Sequence, residues 1–302
     1  MHCCAAVLVV LLSVVTVLSI GAPVSLDSSR GVSGGVSGGV SGWLSCRERW
    51  NQLKWSRGRH AGPGSLNRSN INGEKIHTLN KRKILYVHVG KTGGEFINQF
   101  FRYNYPELHL QQLHIHALDR MMVKQYSTII ISLRNPVDRL ISAYYFSHPL
   151  IEGSYAYDGK IENSFYKCCP DLISFGNTLF ENSKCGNIAR NQSLQSVKGH
   201  MDLDSCAYMS GVLNELKAKK EHVYLINTES LQRDVDNLVT YFKWNEFYKP
   251  SKAHHNTHNH TLVNKPTEVS SKTREQLQLF LQLSGEIDMY NTLQKEFGRV
   301  ML

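Results

Sequence analysis

Cysteine is scarce in this chain, with seven in 302 residues and no Cys-x-x-Cys pair among them. That is too few for a small fold stapled by disulfides, and the missing pair removes a common zinc-site signature. Charged side chains are absent from residues 1–22, and no later apolar run matches that segment in length. Acidic residues are in deficit, 25 against 34 Lys plus Arg, a formal net charge of +9. The excess points to an anionic partner, but its position matters more than its size. Residues 23–80 hold eight basic and three acidic side chains, and residues 81–302 hold 26 and 22. More than half of the excess thus lies outside the larger part of the chain, so a globally basic nucleic-acid binder is disfavoured. With 41% hydrophobic and 20% charged residues, the chain can bury a core, which excludes a wholly disordered or collagen-like protein.

What is present begins with Ala5–Ile20, an uncharged run of small and apolar residues. As a helix it rises about 1.5 Å per residue and reaches roughly 24–30 Å, enough for a bilayer core. It reads either as a signal peptide cut near Ser19 and Gly21 or as a signal anchor followed by a basic stem. Both routes put the rest of the chain in the secretory pathway, secreted if residues 1–22 are cleaved and membrane-attached if not. Residues 23–80 include three copies of Gly-Val-Ser-Gly within Gly31–Gly42, a composition that reads as a flexible stem. Sequons at Asn67, Asn191 and Asn259 agree with a lumenal location. In an oxidising lumen Cys168, Cys169, Cys185 and Cys206 are expected to form two disulfides of unspecified connectivity. Cys46 is then left over, available for a homo-oligomer.

From Lys83 a regular pattern sets in. Ile84–Val89 is a run of β-formers, followed by Gly90-Lys91-Thr92-Gly93-Gly94 and then by Phe96, Ile97, Phe100 and Phe101 at helical spacing. Strand, glycine turn and helix present backbone N–H groups and a helix N-terminus to a phosphate, and Lys91 adds a point charge. Gly-Lys-Thr invites a Walker A reading, but the first glycine of that motif would fall on Leu85, so the nucleoside-triphosphatase signature fails. A second run, Thr128–Leu133, leads into Arg134-Asn135-Pro136, with Asn135 as cap and Pro136 in the first helical turn. Arg134 then sits at a strand's carboxyl end and Ser142 two turns into the helix. Two anion sites at adjacent strand ends imply a ligand with phosphates in two places.

The pair His88-Val-Gly-Lys-Thr-Gly-Gly94 and Leu133-Arg-Asn-Pro-Val-Asp-Arg-Leu-Ile-Ser-Ala-Tyr-Tyr145 resembles the 5′-phosphosulfate and 3′-phosphate motifs of PAPS-dependent Golgi carbohydrate sulfotransferases, closest to the heparan sulfate 2-O- and 6-O-sulfotransferases. The similarity is clear over residues 83–148. It implies that Gly90, Lys91, Thr92, Gly93 and Gly94 cradle the phosphosulfate, with Lys91 on the transferring group, and that Arg134 and Ser142 hold the 3′-phosphate. Glu95 departs from the family, which usually has a hydroxyl residue there; a carboxylate suits the helix dipole but repels the ligand, so Glu95 is expected to turn outward. His114-Ile115-His116 resembles the His-x-His of the 2-O-sulfotransferases, which carries the general base over to His116. His88, on a buried strand, reads as structural.

The stretch His254–His260 has metal-ligand spacing but reads better as a polar loop over nucleotide or substrate; no metal is expected. Residues 149–204 read as an irregular acceptor-binding insertion. Helices are expected over 205–220, 229–242, 271–283 and 285–297 and a strand over 222–226. The organisation is then an apolar segment (1–22), a stem (23–80) and one lumenal sulfotransferase domain (81–302) of α/β class, with a P-loop-like, mostly parallel sheet flanked by helices. The expected activity is transfer of the PAPS sulfuryl group to a hydroxyl of a glycan or proteoglycan chain, in a single-pass type II Golgi membrane protein. The alternatives are a secretory-pathway kinase-like enzyme and a non-catalytic glycan-binding protein on a degenerate sulfotransferase fold.

Overall fold

The computed structural model describes residues 46–48, 50–51, 83–108, 110–114, 116–154, 158–160, 163–195, 200–201, 204–244 and 268–298. The apolar segment, most of the stem, the sequons at Asn67 and Asn259 and the His254–His260 stretch lie outside them. Among the described residues no helix is long and apolar enough to cross a membrane.

The first half of the domain alternates strand and helix: β1 (Ile84–His88), α1 (Gly94–Asn104), β2 (Gln111–Leu113), α2 (Arg120–Gln125), β3 (Thr128–Leu133) and α3 (Pro136–Phe146). Helices α4 (Ser164–Cys168), α5 (Leu172–Thr178), α6 (Lys184–Gln195), α7 (Ser205–Met209) and α8 (Leu213–Ala218) follow, then β4 (Val223–Asn227), α9 (Leu231–Tyr241), α10 (Ser271–Leu283) and α11 (Glu286–Phe297). The four strands pair in the order β2-β1-β3-β4 and every pairing is parallel. Residues of β3 are buried throughout, as expected of a central parallel strand covered on both faces. Leu85, Val87, Ile129, Ile131 and Leu225 point to a core shared with α2, α7, α8 and α11. Ile84, Tyr86, Ile130 and Ile226 face the opposite core, with Ile97 and Phe101 of α1 and Val235 and Leu238 of α9. Each such apolar side chain contributes about 1.5–3 kcal/mol on burial.

This topology positions the site. The chain leaves β1 toward β2 on one side, and β3 pairs with β1 on the other. Strand order therefore reverses at the β1/β3 boundary, and at such a switch point the loops after the two strands diverge and leave a crevice at their carboxyl ends.

Three expectations need correction. Residues 149–204 are not irregular: they carry α4, α5 and α6, and α5 opens with a capping box between Asp171 and Ser174. Phe165, Tyr166 and Phe175 pack there with Tyr144 of α3 and with Leu277 and Phe280 of α10 in a third core. The cysteine pairing also differs. Cys46 bonds Cys206 and Cys168 bonds Cys185, while Cys169 is the buried free thiol, pushed up to about 12 by burial. Cys46 is thus not left over, because residues 46–51, within the segment read as stem, are fastened to the domain. There Trp50 Nε1 donates to the Leu118 carbonyl at 3.2 Å, and Ser210 Oγ donates to the Cys46 carbonyl at 2.9 Å. The 205–220 segment is two helices joined by a 3₁₀ turn at Ser210–Val212 rather than one.

Candidate active site at the carboxyl ends of the first and third strands

The loop Gly90–Gly94 leaves β1 and enters α1 at the switch point. Lys91 adopts a left-handed backbone (φ 67°) and Gly93 does the same (φ 77°). For a lysine this conformation costs about 1–2 kcal/mol, so the rest of the site must hold it in place. Arg134, at the end of β3, does so from beside it by donating through NH1 to the Lys91 carbonyl at 3.3 Å. The Lys91 ammonium lies 3.7 Å from the ring centroid of Phe146 on α3, a cation–π contact worth about 1 kcal/mol or more when shielded from water.

Thr92 is buried, and its hydroxyl belongs to the protein interior. It donates to the Val89 carbonyl at 2.6 Å and meets Ser132 Oγ at 2.5 Å, while Tyr86 OH donates to Ser132 at 3.1 Å. With one proton per hydroxyl, the order is Tyr86 to Ser132 to Thr92 to Val89. Burial raises the Tyr86 pKa far above that of a free phenol, which keeps it the donor. This chain ties the loop to β1 and β3. Thr92 is left to offer an anion its backbone N–H, and its hydroxyl is not placed to ligate a magnesium ion as a Walker threonine would.

Glycine is required at position 94 for space. A Cβ there would stand 1.9 Å from His88 Nε2. The His88 ring is itself fixed: Asn98 Nδ2 donates to Gln112 Oε1 at 2.8 Å, and Gln112 Nε2 in turn donates to His88 Nδ1 at 2.8 Å. Burial, assisted by the nearby His114, His200 and Lys91, lowers the His88 pKa to about 3, so its imidazole is neutral at ordinary pH.

The second half of the site is the start of α3. Asn135 Oδ1 accepts from the backbone N–H groups of Val137 and Asp138 at 3.0 and 3.3 Å, with Pro136 in the first turn. Arg134 is half-buried; burial lowers its pKa, opposed by Asp138 and Glu229, and it remains a cation. Ser142 is half-buried on the same helix. Glu229, after β4, accepts from the Asn135 N–H at 2.8 Å. Lys91 and Arg134 are therefore brought together, and each stands beside a helix N-terminus suited to an anion.

Glu95 is exposed and takes a hydrogen bond from Gln99 one turn further along α1, at 2.8 Å. Its carboxylate is held on the outer face of the helix. Glu95→Gln is accordingly expected to change affinity for adenosine 3′,5′-bisphosphate by less than about threefold, because exposed charges are screened. Calorimetry checks this, and a tenfold gain would place the carboxylate against the ligand instead.

His114, just past β2, stacks on His88 with ring centroids 4.2 Å apart, and its Nδ1–H donates to the His88 carbonyl at 3.1 Å. His116 lies two residues on, half-buried in the bend before α2. Sequence reasoning missed three neighbours of this site. His88 lines it rather than serving only the core, Phe146 seats Lys91, and His200 packs against Gly90.

The sequence model of the sulfotransferase family matches residues 75–283, more than two-thirds of the chain and the whole of this site. The chain belongs to the sulfotransferase family. No curated protein and no solved structure gives a significant match. Two other features of this sulfotransferase lie away from the loop. A groove of about 540 Å³ is lined by Arg47, Trp50, Asp119 and Arg120 among others and includes no residue of the loop; within it Arg120 is ion-paired with Glu215 at 2.6 Å. Asp204, Cys206 and Glu286 cluster closely enough for a metal, but their groups have structural work. Cys206 is in a disulfide, Glu286 accepts from the N–H groups of Ser205 and Cys206, each at 3.0 Å, and Asp204 caps α7 through Ala207 N–H at 2.9 Å. They fasten a helix N-terminus.

Proposed function

We propose that this sulfotransferase moves the sulfuryl group of PAPS to a hydroxyl of a glycan or proteoglycan chain. The observation that carries the reading is the pairing of Lys91 with Arg134 across adjacent strand ends. Each lies at the start of a helix, and together they suit a ligand bearing a phosphosulfate at one end and a second phosphate nearby. The loop N–H groups and Lys91 take the phosphosulfate; Arg134, Ser142 and the start of α3 take the 3′-phosphate. The donor supplies a sulfuryl group on a phosphate leaving group. The acceptor oxygen bonds to sulfur as the sulfur–oxygen bond to the 5′-phosphate breaks. The bonding electrons go to that phosphate, where Lys91 balances the developing charge. The hydroxyl proton passes to His116, whose ordinary pKa suits a base near neutrality.

The engaged Thr92 hydroxyl speaks against a kinase-like enzyme, and the outward Glu95 removes the motive for a degenerate, non-catalytic fold. Helices α4–α6, which pack with α3 and α10 in a core separate from those of the sheet, are our choice for the acceptor side. We propose the Golgi lumen as the site of the reaction; the apolar N-terminal run and two disulfides among the described residues, which form in an oxidising compartment, support that reading. Asn191, exposed on α6, is open to glycosylation there.

His116→Ala is expected to lower turnover by about 10²–10⁴-fold with binding of adenosine 3′,5′-bisphosphate unchanged. Turnover equal to wild type would remove His116 from the role of base.

A further inference from the structure

The segment at residue 200 brings to the phosphate loop a side chain that neither anion motif contains. His200 meets three elements at once. Its Nδ1 would stand 2.6 Å from a Cβ placed on Gly90, its ring lies 4.9 Å from that of Phe146, and it lies 5.4 Å from that of His114. Arg139 fixes this segment from behind, donating to the carbonyls of His200 at 2.7 Å and Met201 at 3.0 Å. Arg139 is 1% exposed, and a guanidinium so buried holds its partners in one geometry or loses heavily on desolvation. Positions 139, 142 and 146 share one face of α3. The helix that carries the second anion motif thus also fixes His200 over the first.

Among the described residues, the charged and titratable groups near His200 are His114 beyond β2, His88 from β1 and Arg139 from α3, while Lys91 sits on the same Phe146 ring. His114 donates through Nδ1 to a carbonyl, so Nε2 is the basic nitrogen of its neutral ring. We propose that His200 is a positioning residue for sulfuryl transfer, clamping His114 and the Phe146 seat of Lys91 against the phosphate loop. This rests on the transfer reading of the same site. Clamping follows from the three contacts.

The test uses the wild-type protein, His200→Ala, His200→Asn, Gly90→Ala and the double variant Gly90→Ala/His200→Ala. For His200→Ala, kcat is expected to fall by about 10–100-fold, as for a displaced reacting group, with affinity for adenosine 3′,5′-bisphosphate within about threefold of wild type. His200→Asn should recover part of that loss, since the amide keeps a polar plane of similar size. Gly90→Ala should lose affinity for the bisphosphate, and the double variant should regain it, because the three atoms nearest that Cβ all belong to His200. Equal turnover in wild type and His200→Ala overturns the proposal. So does a loss that merely tracks the folded fraction and is the same for Ala and Asn. A wild-type protein that binds the bisphosphate but transfers nothing refutes the transfer reading and this role with it. A transferring wild type beside unaffected variants refutes this role alone.

Discussion

Lys91→Met is expected to lower kcat by about 10²–10³-fold, the effect of removing one preorganised group that stabilises developing charge. Methionine matches the length and flexibility of the lysine stem, so the change removes charge and little else. The loop should keep its shape. Its left-handed residue is held through the Lys91 carbonyl by Arg134 and through the buried Thr92 hydroxyl by Val89 and Ser132, and none of these uses the ammonium. The lost cation–π contact with Phe146 costs about 1 kcal/mol of stability, small beside the kinetic effect. The nucleotide should still bind, within about tenfold, through Arg134 and the starts of α1 and α3. Steady-state turnover and calorimetry with adenosine 3′,5′-bisphosphate separate the two effects. A variant that keeps a tenth or more of wild-type turnover would remove Lys91 from the centre of the chemistry.

Gly94→Ala should disable the site from the opposite direction, through space rather than charge. The added methyl would lie 1.9 Å from His88 Nε2 and 2.0 Å from Cδ2, far inside any van der Waals contact. His88 cannot retreat cheaply, since Gln112 holds its Nδ1, Asn98 holds Gln112 and His114 stacks on the ring. Either the imidazole is expelled or the first turn of α1 moves, and that turn carries the N–H groups offered to the anion. Overpacking of this kind costs about 1–3 kcal/mol, visible as a lowered melting temperature. Affinity for adenosine 3′,5′-bisphosphate is expected to fall about 100-fold, corresponding to about 2.7 kcal/mol. His88→Ala in the same chain should restore part of both losses by vacating the space. Affinity within threefold of wild type for Gly94→Ala alone would show that the loop does not bind the nucleotide as described.

The parts of the fold legible in the sequence are those whose information is local. The β3 run Thr128–Leu133 is unbroken in β-formers and coincides with the strand. Asn135 and Pro136 mark the start of α3 by cap and φ preference, and both act there as expected. The β1 run overshoots its strand by one residue, Val89, where the backbone turns into the loop. Helices α4–α6 are harder to read, because elements of 5, 7 and 12 residues show few turns of periodicity and are held by caps and an aromatic cluster. Contacts made by chain return are not written locally at all. His200 reaches Gly90 from 110 residues away, and Cys46 reaches Cys206 across 160. His88 occupies an alternating strand position and reads as core, yet the strand's end places it at the crevice beside His114. The placement of Lys91 and Arg134 at adjacent strand ends is legible because a glycine turn and a cap followed by proline mark those ends; the contact of Phe146 with Lys91 is not, because nothing in its local sequence distinguishes a seat for lysine from ordinary packing.

The proposed reaction runs in the crevice between β1 and β3, with PAPS as donor and a sugar hydroxyl as acceptor. Its most direct test is incubation of the purified protein with ³⁵S-labelled PAPS and a panel of desulfated glycans, with adenosine 3′,5′-bisphosphate release followed in the same reactions. The expected result is label in at least one glycan, matched mole for mole by released bisphosphate and lowered by about 10²–10³-fold in Lys91→Met. Bisphosphate binding with no label in any glycan would contradict it.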